Sequence, residues 1–245
     1  MGRDTRMRIA LPATMAAALT CATLEVRGSA SASPDHTATL VRFLTPDPAP
    51  LMSYRGTRRL QASAREGKLQ ATLHVWTELH PKRGFQYRVI SENGADSIRS
   101  RVLHPVLDAE RRSQAPGDIQ QGGLTRENYT FEPPSYSRDG LLRVPIHPRR
   151  DHVTLVDGVM FLRPSTGDLV RVEGRLSKRP SFWTRRVDIV REYARIAGVR
   201  VPVSMESTAQ VLIIGASHFT MTWEYESING TPVGPPVGAV ATTGK

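Results

Sequence analysis

The sequence predicts a mainly β protein with few helices: an antiparallel sheet curved around something apolar. Three observations carry this. From Phe219, every second residue is large and apolar (Phe219, Met221, Trp223, Tyr225), with Thr220, Thr222, Glu224 and Glu226 between them. Successive side chains of a strand point to opposite faces, so this period of two gives one oily and one wet face. A second strand–turn–strand pattern runs from Leu69 to Val89, and one stretch from Asp96 to Arg112 has helical spacing.

The N-terminus reads as an export signal. Arg3, Arg6 and Arg8 precede a weakly apolar stretch from Ile9 to Leu24, and Ala30-Ser31-Ala32 supplies an A-x-A cleavage site. Cleavage after Ala32 makes residues 1–32 a signal peptide and places the mature chain in the periplasm. Cys21, the sole cysteine, lies inside that signal. Thr20 and Ala18 do not fit the pattern of a lipid-attachment site there. The mature chain then has no thiol for a disulfide, a metal or a nucleophile.

Residues 33–230 read as one domain. Ser33 to Pro50 is a lead-in or a short helix, and Tyr54 to Ala64 opens the sheet or forms a helix. Arg65 to Lys68 is a turn. In the next strand Leu73, Val75 and Leu79 face one way and His74, Trp76 and Glu78 the other. His80-Pro81-Lys82-Arg83-Gly84 is a hairpin loop. Phe85, Tyr87 and Val89 mark the returning strand. In the helical stretch Ile98, Val102, Val106 and Ala109 share a face. Pro105 lacks an N–H and clashes with the preceding turn, which predicts a kink or two short helices.

Ala115 to Arg126 reads as a loop. Strands follow at Asn128–Glu132, around Leu142, Val144 and Ile146, and from Val153 to Leu162, the last with a bulge or turn at Asp157-Gly158. Val170, Val172 and Leu176 alternate with Arg171, Glu173 and Arg175. Phe182 to Ala197 reads as a long strand turning at Ala197-Gly198. The chain then returns through Val199 to Val203, with Pro202 at an edge or a strand start. Val211 to Ile214 has the continuous apolar run of a strand covered on both faces. Residues 231–245, rich in Pro and Gly, form a tail that cannot build a core.

The net charge is +10. The basic residues are scattered in pairs such as Arg58-Arg59 and Arg149-Arg150, with no long like-charge block and no aromatic interleaving. This argues against nucleic acid, makes transient contact with anionic membrane surfaces reasonable, and reads the pairs as solvated outer faces of strands. No histidine pair has H-x-x-x-H spacing, and Gly215-Ala216-Ser217-His218-Phe219 is not a nucleophile elbow. His147 and His152 flank a turn and read as surface residues. The expectation is a protein that is not an enzyme and carries no cofactor or metal.

Several segments together resemble a known family: YRGTRRLQASA, VWTELHPKRGFQYRVI, SENGADSIRSRVL, GRLSKRPSFWTRRVDIVREYARIAGVRVPVSMES and FTMTWEYESING. From about Tyr54 to Gly230 the chain resembles the bacterial outer-membrane lipoprotein-sorting proteins, the LolA-like family. The resemblance implies an incomplete antiparallel β-barrel, a half-barrel with helices covering its mouth. It implies a carrier of acyl chains of lipid or lipoprotein, with inner- and outer-membrane sorting proteins as candidate partners. An envelope-stress sensor or scaffold on the same fold, binding a partner protein, is the alternative. Leu73, Val75, Phe85, Tyr87, Val89, Val172, Leu176, Phe219, Met221, Trp223 and Tyr225 are the expected inward, lipid-lining residues.

Overall fold

The computed structural model describes residues 34–112, 122–178, 184–211 and 215–234. The predicted signal sequence with Cys21, Phe182, Trp183, residues 212–214 and the chain beyond 234 lie outside the described residues, as does most of the predicted loop Ala115–Arg126. The described part is an open antiparallel sheet with helices at Pro34–Leu44 (α1), Asp96–Ile98 (α2) and His104–Arg112 (α3). The strands in chain order are β1 (Tyr54–Ala64), β2 (Leu69–His80), β3 (Gly84–Gly94), β4 (Tyr129–Phe131), β5 (Ser135–Tyr136), β6 (Leu142–Pro148), β7 (Val156–Leu162), β8 (Leu169–Leu176), β9 (Thr184–Ile196), β10 (Val199–Val211), β11 (Gly215–Ile228) and β12 (Thr231–Pro232). Across the sheet the order is β3-β2-β1-β11-β10-β9-β8-β7-β6-β4, with β5 also on β6 and β12 on β11. Among the described residues β3 and β4 do not pair with each other, so the sheet is an incomplete barrel.

The predicted alternation sets which face is covered. One transverse row runs through eight neighbouring strands: Leu73, Leu60, Met221, Met205, Arg191, Val172, Met160 and Val144, each the register partner of the next. Seven members are apolar, and the row marks the buried face. Packing on that face divides into two clusters. The first joins β1, β2, β3 and β11 to the Asp96–Arg112 helical segment through Leu60, Leu73, Val75, Phe85, Leu103 and Leu107. The second joins β4, β6, β7 and β8 to α1 through Phe43, Tyr129, Leu142, Val144, Met160 and Val172. Thr39 anchors α1 by donating to the Pro164 carbonyl at 3.1 Å.

Between α2 and α3 the chain forms a π-turn, Arg99–Leu103, just before Pro105. Proline cannot donate to the helical ladder, and widening the preceding turn absorbs the defect. This is the interruption the sequence predicts, realised as a bulge rather than a break.

Three expectations are corrected. Asp157 and Gly158 form no bulge or turn: Gly158 pairs regularly with Gly174, while the irregularity sits at Phe161/Leu162. A Cβ on Gly158 would lie 2.1 Å from the Glu173 carbonyl oxygen, so the two backbones approach more closely than side chains allow. Pro202 is not at an edge. It lies in a central strand beside a register shift between Pro202 and Ser204, the other place where a missing N–H is tolerated. Of the run Val211 to Ile214 only Val211 is described: it ends β10 and pairs with Gly215 at the start of β11, and residues 212–214 lie outside the described residues. The tail does not lose structure at residue 231: Thr231 and Pro232 pair with Ile228 and Ser227.

The β9–β10 turn falls where predicted. Ala197 and Gly198 have φ of 49° and 78°, the left-handed pair whose twist suits a two-residue hairpin. The hairpin end packs on both sides, with Val199 and Val201 in the first cluster and Tyr193 against the second.

Candidate functional site

The first cluster contains a charge. Arg58 on β1 has Val75 and Trp223 as register partners and is only 2% exposed. Its guanidinium grips Glu110 of α3 with both ends: Nη1 donates to Oε2 at 2.6 Å and Nη2 to Oε1 at 2.9 Å. Nη2 also donates to the Tyr54 hydroxyl. Three rings surround the cation, with centroids at 4.7 Å (Phe85), 5.2 Å (Trp223) and 5.7 Å (Tyr54). Such contacts gain strength when desolvated. Burial opposes the charge, but the bonds to Glu110 outweigh it and hold Arg58 protonated. Burial likewise pushes the Tyr225 and Tyr54 hydroxyls up, keeping both neutral.

Further polar contacts pin the same helical segment along β3. Tyr87 donates to Asp108 at 2.9 Å, Arg111 lies over the Tyr87 ring at 5.6 Å, and Glu92 meets His104 at 2.9 Å and Arg99 at 3.3 Å. The segment is therefore a cover seated on apolar side chains and fastened by ionic and hydrogen-bonded clasps.

The expected lining residues fall into three groups. Leu73, Val75, Phe85, Phe219 and Met221 are buried in the first cluster, with Tyr87, Trp223 and Tyr225 packed against it. Here they pack around Arg58 and the cover. Val172 and Leu176 belong to the second cluster. Val89 stands apart: it is 40% exposed on the terminal strand of the sheet.

Open space lies between the clusters, over β8, β9 and β10. One cleft of about 440 Å³ is lined by Val156, Leu176, Ile189, Met205, Thr154 and Arg191, among others. A second, of about 620 Å³, opens beside Phe43, Leu44, Tyr193 and Arg200. Both fall in the range of ~300–1,000 Å³ common for small-molecule sites. Arg200 stacks over Phe43 at 4.8 Å and reaches Asp47 at 3.5 Å. Sequence reasoning missed Arg58, Glu110 and Arg191. An arginine at an inward position of an alternating strand is the signal that could have found the two arginines.

The histidines take separate partners. His147 Nδ1 lies 2.7 Å from Asp157 and Nε2 3.1 Å from Glu132, while His152 Nδ1 pairs with Thr154 at 2.8 Å. The His147 bond to Asp157, followed by that to Glu132, holds the imidazolium above the usual histidine range. Because the folded pKa is raised, the stabilisation is complete below the unfolded value and is lost as pH rises through the folded one. NMR titration is expected to give His147 a pKa above that of an unfolded peptide, and Asp157→Asn to lower it. An unchanged pKa in that variant would contradict the assignment. Among the described residues no group of three or more His, Cys, Asp or Glu could hold a metal ion. Nor is any described helix long and apolar enough to cross a membrane.

The fold and site thus define a mainly β protein, an open antiparallel sheet whose apolar face is covered at both ends by helices. No family model matches the chain, and no curated protein does. Among solved structures it is similar to a DUF1329 family protein from Desulfovibrio piger, at 13% identity and a TM-score of 0.34, over 77% of this chain and 90% of that one. A likeness of that size carries no argument about function.

Proposed function

We propose that the chain is an exported, periplasmic and non-catalytic carrier of lipid or lipoprotein, holding acyl chains against the apolar face of the sheet. The observation that supports it most is the fastening of the cover. A cover meant to stay shut would be sealed best by apolar contacts, since a buried ion pair seldom outperforms a hydrophobic replacement. Here the central contact is Arg58 with Glu110, ringed by aromatics. When the cover lifts, both charges regain water, so opening costs less than exposing the same area of hydrocarbon. Each methylene buried against the apolar face contributes ~0.8 kcal/mol, and the clefts over β8 to β10 beside the cover have room for an acyl chain of modest length.

Mass spectrometry of the purified mature protein is expected to find co-purified lipid, and a fluorescent fatty acid to bind the stripped protein. A lipid-free protein that also ignores the probe would refute the reading. A second reading, an envelope-stress sensor or scaffold that binds a partner protein, is favoured by Val89 and Ile90, exposed at 40% and 49% on the edge strand β3. An unpaired strand edge is a template for an added strand. A stable partner in pull-down, unaffected by filling the cleft, would support that reading.

A further inference from the structure

Arg191 is the one charged member of the eight-strand apolar row, between Val172 on β8 and Met205 on β9's other neighbour, β10. Unlike Arg58, it has no carboxylate within ion-pair distance among the described residues. Its Nη2 lies 3.5 Å from the Met205 sulfur, a weak acceptor, its Nε is buried with no hydrogen-bond partner, and its further company includes the Tyr193 hydroxyl, which bonds to it, and the Glu110 carboxylate at longer range. It lines the cleft of about 440 Å³ together with Val156, Leu176, Ile189, Met205 and the hydroxyl-bearing Thr154. Tyr193 and Tyr129 border the adjoining narrow recess. A cation removed from water with no carboxylate in contact is costly, and one lining a cleft with Val156, Leu176 and Ile189 is set to receive an anion.

We propose that this cleft takes a single-chain amphiphile with an anionic head, carboxylate or phosphate, whose head is held by Arg191 and whose chain lies along Val156, Leu176 and Ile189. The inference rests on the carrier reading and narrows its cargo. The guanidinium presents a planar fork of donors that fits either oxyanion with two parallel bonds. Charge-assisted bonds of this kind are shorter and stronger than neutral ones, so the preference for an anionic head is expected to be large enough to measure.

The test is calorimetric titration of the stripped mature protein with palmitate, 1-palmitoyl-lysophosphatidylglycerol and uncharged monopalmitin. At least one anionic ligand is expected to bind tenfold to a hundredfold tighter than monopalmitin. Which one does so distinguishes the carboxylate from the phosphate. Arg191→Gln should bring all three to the monopalmitin level, Arg191→Lys should keep part of the difference, and Ile189→Trp should weaken all three by filling the cleft. Arg59→Gln, an exposed change on the opposite side of β1, controls for the overall positive charge and should alter nothing. Equal binding of charged and uncharged ligands by the unaltered protein would overturn the head assignment while leaving the carrier standing. A preference that survives Arg191→Gln would do the same. Binding of none of the three would bring down both readings.

Discussion

Glu110→Gln is expected to lower the unfolding free energy by about 3 kcal/mol, because it strands the Arg58 cation in a nearly dry site. Removing one member of a buried pair typically costs ~3–5 kcal/mol; the Glu110 side chain is 31% exposed, so the low end applies. The double variant Arg58→Met with Glu110→Gln is expected to recover most of that loss. A flexible apolar chain would then fill the space among Phe85, Trp223 and Tyr54 with no charge to solvate. Urea unfolding of the four proteins in the cycle measures this directly. A loss below ~1 kcal/mol in the single variant would mean that water already reaches the guanidinium, and the cover would not be latched as described. The same cycle reports on function: if the pair fastens the cover, the double variant should hold the cover differently and change the rate of probe release.

Phe85→Ala should cost as much or more, about 3–5 kcal/mol. Phe85 is 1% exposed, stacks near Tyr87 with centroids 6.3 Å apart, and forms the nearest ring to Arg58 at 4.7 Å. Its loss leaves a cavity under the cover and removes one wall of the aromatic cage. The effect should be non-additive with Arg58→Met, since the two side chains touch. Additivity within ~0.3 kcal/mol would show that ring and cation do not cooperate.

Much of the architecture was legible. Phe219 to Tyr225 alternates as an inward strand edge to edge, the turns at Lys82 and Gly198 fall where their residues require, and Pro105 interrupts its helix. What stayed hidden was set by partners distant in the chain. Arg58 reads locally as one of a basic surface pair, yet its neighbour Arg59 is exposed and Arg58 is buried. The carboxylate that permits this lies 52 positions away on a helix. Leu73 and its fellows were legible as inward, but periodicity cannot say whether an inward face encloses space or packs solid. The helix that packs on them decides that, and the free volume falls instead over β8 to β10. Val89 keeps the strand period, but its strand ends the sheet and nothing seals it from solvent.

Read spatially from β4 through β11 and on to β1, β2 and β3, the sheet is a simple up-and-down ribbon; only the seam between β1 and β11 joins strands distant in sequence. Every other pairing along the ribbon closes a comparatively short loop, while this seam brings Ala62 to Phe219 across most of the domain. Loop-closure entropy therefore concentrates the kinetic barrier at one step, the docking of the β1–β3 ribbon onto a β6–β11 ribbon that can assemble locally. The arrangement is that of a circularly permuted meander: a chain re-cut to begin near residue 122, with β1 spliced after β12, would keep every neighbour and turn the slow step into a local one.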